Sequence, residues 1–99
     1  MSNILTATEA ANVLRTTEDD PLMVDLLPAV DAYIEQATGR DWAADNPVNP
    51  IAKSAARMLV AQWHGDPAMI GSEGGLSHGL SAVLAQLEVI ALQLADESA

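Results

Sequence analysis

The sequence has no cysteine and no phenylalanine, three aromatic residues (Tyr33, Trp42 and Trp63), and four basic residues among ninety-nine. Without cysteine there is no disulfide framework and no thiolate zinc site, which fits a protein made in a reducing cytoplasm. Arg15, Arg40, Lys53 and Arg57 face fourteen acidic residues, giving a formal charge of −10. Nucleic-acid binders ordinarily carry a basic face, so ordinary DNA or RNA binding is not expected. No apolar run approaches the ~20 residues of a bilayer span. The opening MSNILTATEA lacks the basic and apolar regions of a signal peptide. The expectation is a soluble, intracellular protein with no membrane partner. A core poor in aromatics must be built from Leu, Val, Ile, Met and Ala, which favours helices packed on helices. One domain of this length buries roughly 60–70% of its unfolded surface.

The order of capping and breaking residues predicts about four helices. Thr6 and Glu9 have capping-box spacing, with Leu5 and Ala10 able to staple across it. A short helix is predicted from Ala7 to Leu14 or Arg15, with Ala10, Val13 and Leu14 inward. Asp19 or Asp20 caps a second helix opened by Pro21 and stopped by Gly39. Met23, Leu26, Leu27, Val30, Tyr33, Ile34 and Ala37 form its apolar face, and Asp25, Asp31, Glu35 and Gln36 its polar one. Pro28 frees the carbonyl of Val24, and the unbroken period across it predicts a kink rather than a break. Arg40 to Val48 reads as a loop with Trp42 folded back as a lid.

The central element is the stretch from Asn49 to Asp66, NPIAKSAARMLVAQWHGD. Asn49 caps it, Pro50 opens it and Gly65 stops it. Ala52, Ala55, Ala56, Leu59 and Trp63 make one face, widened by Ile51, Met58 and Val60, while Lys53, Ser54 and Arg57 leave a narrow polar stripe. A helix this apolar is enclosed by neighbours. The Gly-rich stretch 65–79 reads as a loop, since it lacks the Lys-Ser/Thr of a phosphate-binding loop. It carries two apolar residues, Met69 and Ile70, suited to partner contact. The last helix is predicted from about Leu80 to Leu94, with Asp96–Ala99 as a tail. Leu80, Val83, Leu84, Leu87, Ala91 and Leu94 form its stripe. Val89, Ile90 and Leu92 lie beside or outside it, more apolar surface than a small core needs. The fold class is therefore all-α, a small bundle around the central helix at about 50–64.

No catalytic, cofactor or metal site is expected. His64, His78 and Asp66 match no compact ligand spacing, and His64 is better explained by the dipole at a helix C-terminus. The carboxylates are scattered, and no nucleophile elbow is visible. The run Glu18-Asp19-Asp20 reads first as capping and a solvated face.

The order of elements carries a resemblance. Its pieces are Val13-Leu14-Arg15, the acidic Pro-started helix ending Tyr33-Ile34-Glu35-Gln36-Ala37-Thr38-Gly39-Arg40, Pro50-Ile51-Ala52-Lys53, Leu59-Val60-Ala61-Gln62-Trp63-His64, and Leu76-Ser77-His78-Gly79-Leu80. Together they resemble the head–tail connector (head-completion adaptor) family of tailed bacteriophages and prophages, over almost the whole chain. Pro28 and the long apolar last helix depart from the family pattern. The resemblance implies a non-enzymatic virion part, made in the host cytoplasm and placed at the head–tail interface. Copies would form a ring homo-oligomer, dodecameric when assembled, under the portal. The ring would contact the portal and a tail or stopper protein and pass DNA without binding it specifically. On that reading Met69, Ile70, Val89, Ile90 and Leu92 are candidate contacts with other copies, portal or tail. Glu18, Asp19 and Asp20 are candidate channel-facing acids, ahead of Asp41 and Asp45. The other classes are a small helical regulatory module, antitoxin-like or inhibitory, and an acidic DNA mimic, disfavoured because the acids form no dense row.

Overall fold

The first helix, α1 (Ala7–Leu14), begins where the capping box predicts. The Glu9 N–H donates to Thr6 Oγ1 at 3.1 Å, and the Thr6 N–H donates to Glu9 Oε1 at 3.0 Å. Two of the helix's orphan donors are thereby satisfied. Its end is set by Arg15 at φ 56°, a left-handed cap that sends the chain into the acidic connector. A computed structural model describes residues 3–45, 47–66 and 78–98. Among them are four α-helices, one 3-10 turn and no strand. The all-α bundle is the architecture.

In α2 (Pro21–Thr38) Asp20 is the cap, its Oδ1 accepting from the N–H groups of Leu22 (3.0 Å) and Met23 (3.2 Å). The helix runs on through Pro28 and ends at Gly39 with φ 83°. That conformation suits glycine because it lacks a Cβ. Met23, Leu26, Leu27, Val30 and Ile34 are buried as the pattern predicts. Two positions differ: Ala37 is exposed and Thr38 is buried. The reason is Trp42, which folds back from a 3-10 turn (Trp42–Ala44) and donates its indole N–H to Thr38 Oγ1 at 2.9 Å. Thr38 in turn donates to the Ile34 carbonyl at 2.7 Å. In α1 likewise Ala10 and Ala11 are fully inside, whereas Val13 and Leu14 are half-buried. The buried arc is centred between Ala10 and Leu14, which draws in Ala7 and Ala11.

The third helix, α3 (Pro50–Gly65), packs against α1, α2 and α4. Ala52, Ala55, Ala56, Leu59, Val60 and Trp63 have no exposed surface. Four of the six are small or β-branched, so the neighbouring helices approach its backbone closely. Enclosure is incomplete on one side, where Met58 is 40% exposed beside Arg57 and Ala61. Gly65 is the last helical residue rather than the turn beyond it, and Asp66 caps with φ −142°. Trp63 meets Tyr33 of α2 edge-on, ring centroids 5.3 Å apart.

The fourth helix, α4, spans His78–Ser98, two residues earlier and four later than its pattern predicts. Asp96 and Glu97 are therefore helical, not a frayed tail. Leu80, Leu84, Leu87 and Ala91 seat it on α2 and α3, and Leu94 holds its final turns against the same core. By length and composition alone the stretch Gly79–Glu97 is long and apolar enough to cross a membrane, which corrects the expectation that no run approaches that length. The long run escapes notice in the sequence because Gln86, Glu88 and Gln93 interrupt it.

Candidate assembly surface

α4 presents two apolar faces on opposite sides. The inner one is Leu80, Leu84, Leu87 and Ala91. The outer one is Ala82, Ala85, Val89 and Leu92, all exposed. Steps of three, four and three residues put these four on one line along the helix. Val89 is 54% exposed and Leu92 64% exposed, the two most exposed large apolar side chains among the described residues. The candidate contact set therefore divides. Val89 and Leu92 stand in solvent as predicted. Ile90 is half-buried and packs on the core, so it is chiefly a fold residue. It sits about 100° from Val89 on the helix, which turns it toward α2 and α3. Met69 and Ile70 lie outside the described residues. Val24 of α2, 47% exposed, was not singled out by the sequence pattern.

The acidic run also divides. Glu18 and Asp19 are exposed and, with Thr8, Asn12, Thr16 and Thr17, line an open cleft of about 470 Å³ between α1 and the connector. Glu18 accepts a hydrogen bond from the Thr8 hydroxyl. Asp20 is committed to the fold. Its Oδ1 caps α2, and its Oδ2 accepts from Thr16 Oγ1 (3.0 Å) and meets His64 Nε2 (3.1 Å). The backbone N–H of Met23, then Thr16, then His64 hold its carboxyl below the usual range. His64 lies in the last turn of α3 and meets Asp20, the cap of α2, so the pair links the end of α3 to the start of α2. Asp41 caps the 3-10 turn through the Ala43 N–H at 3.2 Å, and Asp45 is ion-paired with Arg40 at 2.7 Å. Neither Asp20 nor Asp45 is a free surface charge.

Three of the four basic residues are spoken for inside the molecule. Arg40 pairs with Asp45 and lies 5.4 Å from the Trp42 ring. Lys53 reaches both oxygens of Glu9 at 2.7 Å, and Arg57 approaches Glu9 at 3.7 Å. Lys53 above all holds the Glu9 carboxyl low, aided by the Thr6 N–H. One carboxylate thus closes the α1 cap and clamps α1 to α3.

Asp31 departs from the predicted solvated face of α2. It is half-buried, and its Oδ1 accepts the Ile4 N–H at 3.1 Å, tying residues 3–5 over α2. Ile4 and Leu5 beneath this tie are buried. Burial, with a lesser push from Asp41, raises the Asp31 carboxyl to about 6. Asp31, Glu35 and Asp41 border a cleft of about 220 Å³ beside Pro28 and Asn3. Among the described residues no group of three or more His, Asp or Glu converges as a metal-ligand set. Comparison of the chain with family models, curated proteins and solved structures found no match.

Proposed function

We propose that this protein is a non-enzymatic assembly subunit, a head–tail connector of a tailed phage or prophage. In this role it forms a ring with its own copies under the portal, joins head to tail or stopper protein, and continues the channel for DNA. The observation that carries the reading is the outer apolar face of α4, set opposite the face that builds the core. A domain of this size needs one apolar face on its last helix, and a second marks a contact surface. The resemblance in element order, from Val13-Leu14-Arg15 to the helix opened near His78, supplies the setting. The charge suits a channel lining. A basic lumen would hold a duplex that carries one negative charge per ~1.7 Å, whereas Glu18 and Asp19 are exposed acids that would not.

Co-expression with a portal protein tests the assembly role. Leu92→Asp is expected to leave helical content intact and abolish portal-bound rings on a sizing column. Normal rings from Leu92→Asp would remove α4 from the interface. Glu18→Lys with Asp19→Lys, leaving Asp20 to cap, is expected to assemble normally and slow genome ejection. Unchanged ejection would take the lumen role from this run.

A further inference from the structure

We propose that the outer face of α4 docks an amphipathic helix of a different protein, one with Leu or Ile along its seam and Lys or Arg on its flanks. This rests on the reading of α4 as an assembly surface and names the chemistry of what that surface meets. The stripe Ala82, Ala85, Val89, Leu92 has the three–four spacing of a helix-pairing seam. Its two alanines let a partner backbone approach closely, and Val89 and Leu92 supply the apolar knobs.

Charge selects among the occupants. Asp96 occupies the next position of the seam, and Glu88 flanks it. From Met58 to Ala99 the chain has no lysine or arginine. A second copy's α4 therefore offers no cation to match Glu88. In a parallel pair it would set Asp96 against Asp96. The copy's other cations are mostly engaged, Arg40 with Asp45, and Lys53 and Arg57 with Glu9. Helices that lie on membranes carry Lys and Arg along their polar face, and anionic lipid headgroups repel acids. A helix with basic flanks satisfies both the seam and the charge. The ring's own subunit contacts then lie on other faces of the molecule.

The test uses the full chain and labelled designed peptides of α4's own length, 21 residues. One peptide has leucine along the seam and lysine on both flanks. A second has glutamate on the flanks. A third keeps the lysines but scrambles the leucine order, and a fourth is the chain's own 78–98. By fluorescence anisotropy the first is expected to bind at least about tenfold tighter than the third. Val89→Ser with Leu92→Ser is expected to weaken it by about tenfold or more, through lost apolar burial, with circular dichroism unchanged. The second and fourth peptides are expected not to bind. Equal binding of the scrambled peptide would reduce the effect to bulk charge and overturn the proposal. Unchanged binding by the double variant would do the same. Binding of the 78–98 peptide as tight as the first would point to a second copy. Flotation with phosphatidylcholine vesicles that depends on Val89 and Leu92, without peptide binding, would point to a membrane. If the double variant loses the peptide yet still completes portal rings, α4 has no part in the portal-bound ring and the docking site stands.

Discussion

At Asp31 one carboxyl does two opposed things. It accepts the Ile4 N–H and so pins the N-terminal strap, but burial works against its charge. The folded state holds the proton up to about 6, above the ordinary 3.8. Stability from this group is therefore fully present below the ordinary value and lost as pH rises through about 6. Asp20 has the opposite sign. Its lowered folded value gives stability that is present above 3.8 and lost as pH falls below it. Between about pH 4.5 and 7.5, then, Asp31 is the group that titrates with effect among these two. Asn can accept the same Ile4 N–H without a charge. Asp31→Asn should raise the urea midpoint near pH 7.5 and leave it almost unchanged near pH 4.5. A variant less stable than the parent at the higher pH would mean that the charge strengthens the strap more than burial weakens it.

Among the elements, α2 and α3 carry the clearest consequences. Pro28 is exposed within a helix that continues on both sides of it, so its ring contributes little packing, and it has no N–H to donate to the Val24 carbonyl one turn back. Pro28→Ala should stabilise the chain by up to about 3 kcal/mol, read by denaturant melts. In α3, Leu59 has no exposed surface, and Leu59→Ala should destabilise by about 2–5 kcal/mol. Lys53 pairs with Glu9 at the bundle surface, and Lys53→Ala should change stability by no more than about 1 kcal/mol. Equal effects at the two positions would displace α3 from the centre. These elements were legible because their signals are local: Thr6 with Glu9, Asp20 with Pro21, Asn49 with Pro50, and an apolar period that holds from Met23 to Ile34. What was hidden is contact between distant parts of the chain. Asp20 meets His64, and Glu9 meets Lys53, each 44 residues apart. Ile4 meets Asp31 across 27. No spacing rule reports such pairs, so Asp20 read as a channel candidate and Asp31 as a solvated acid. Ile90 misled for a different reason. It is apolar and beside Val89, and only the docking angle of α4 decides which of the two turns inward.

Taken as one body, the molecule is a concentrated negative charge of −10 with three of its four cations already neutralised locally. Such a body repels itself, and salt relieves the repulsion because screening shortens from ~30 Å at 0.01 M to ~3 Å at 1 M. Raising sodium chloride from about 0.02 to 0.5 M should lift the melting temperature by a few degrees. The free protein should show no DNA binding even at the lowest salt. A melting temperature that falls with salt would mean that the Glu9 and Asp45 pairs outweigh the net repulsion.

The placement of the four cations also decides how the chain would be dismantled. Trypsin cuts only after lysine and arginine. Arg15 is exposed in a left-handed turn, whereas Lys53 and Arg57 lie within a regular helix and are tied to Glu9. A brief digestion of the native protein should nick first after Arg15. Cleavage after Arg57 must wait for α3 to open, so its rate reports the unfolding of the core. When it comes, residues 58–99 leave as one uncut peptide. That peptide carries all of α4 and supplies a natural fragment with both apolar faces bared.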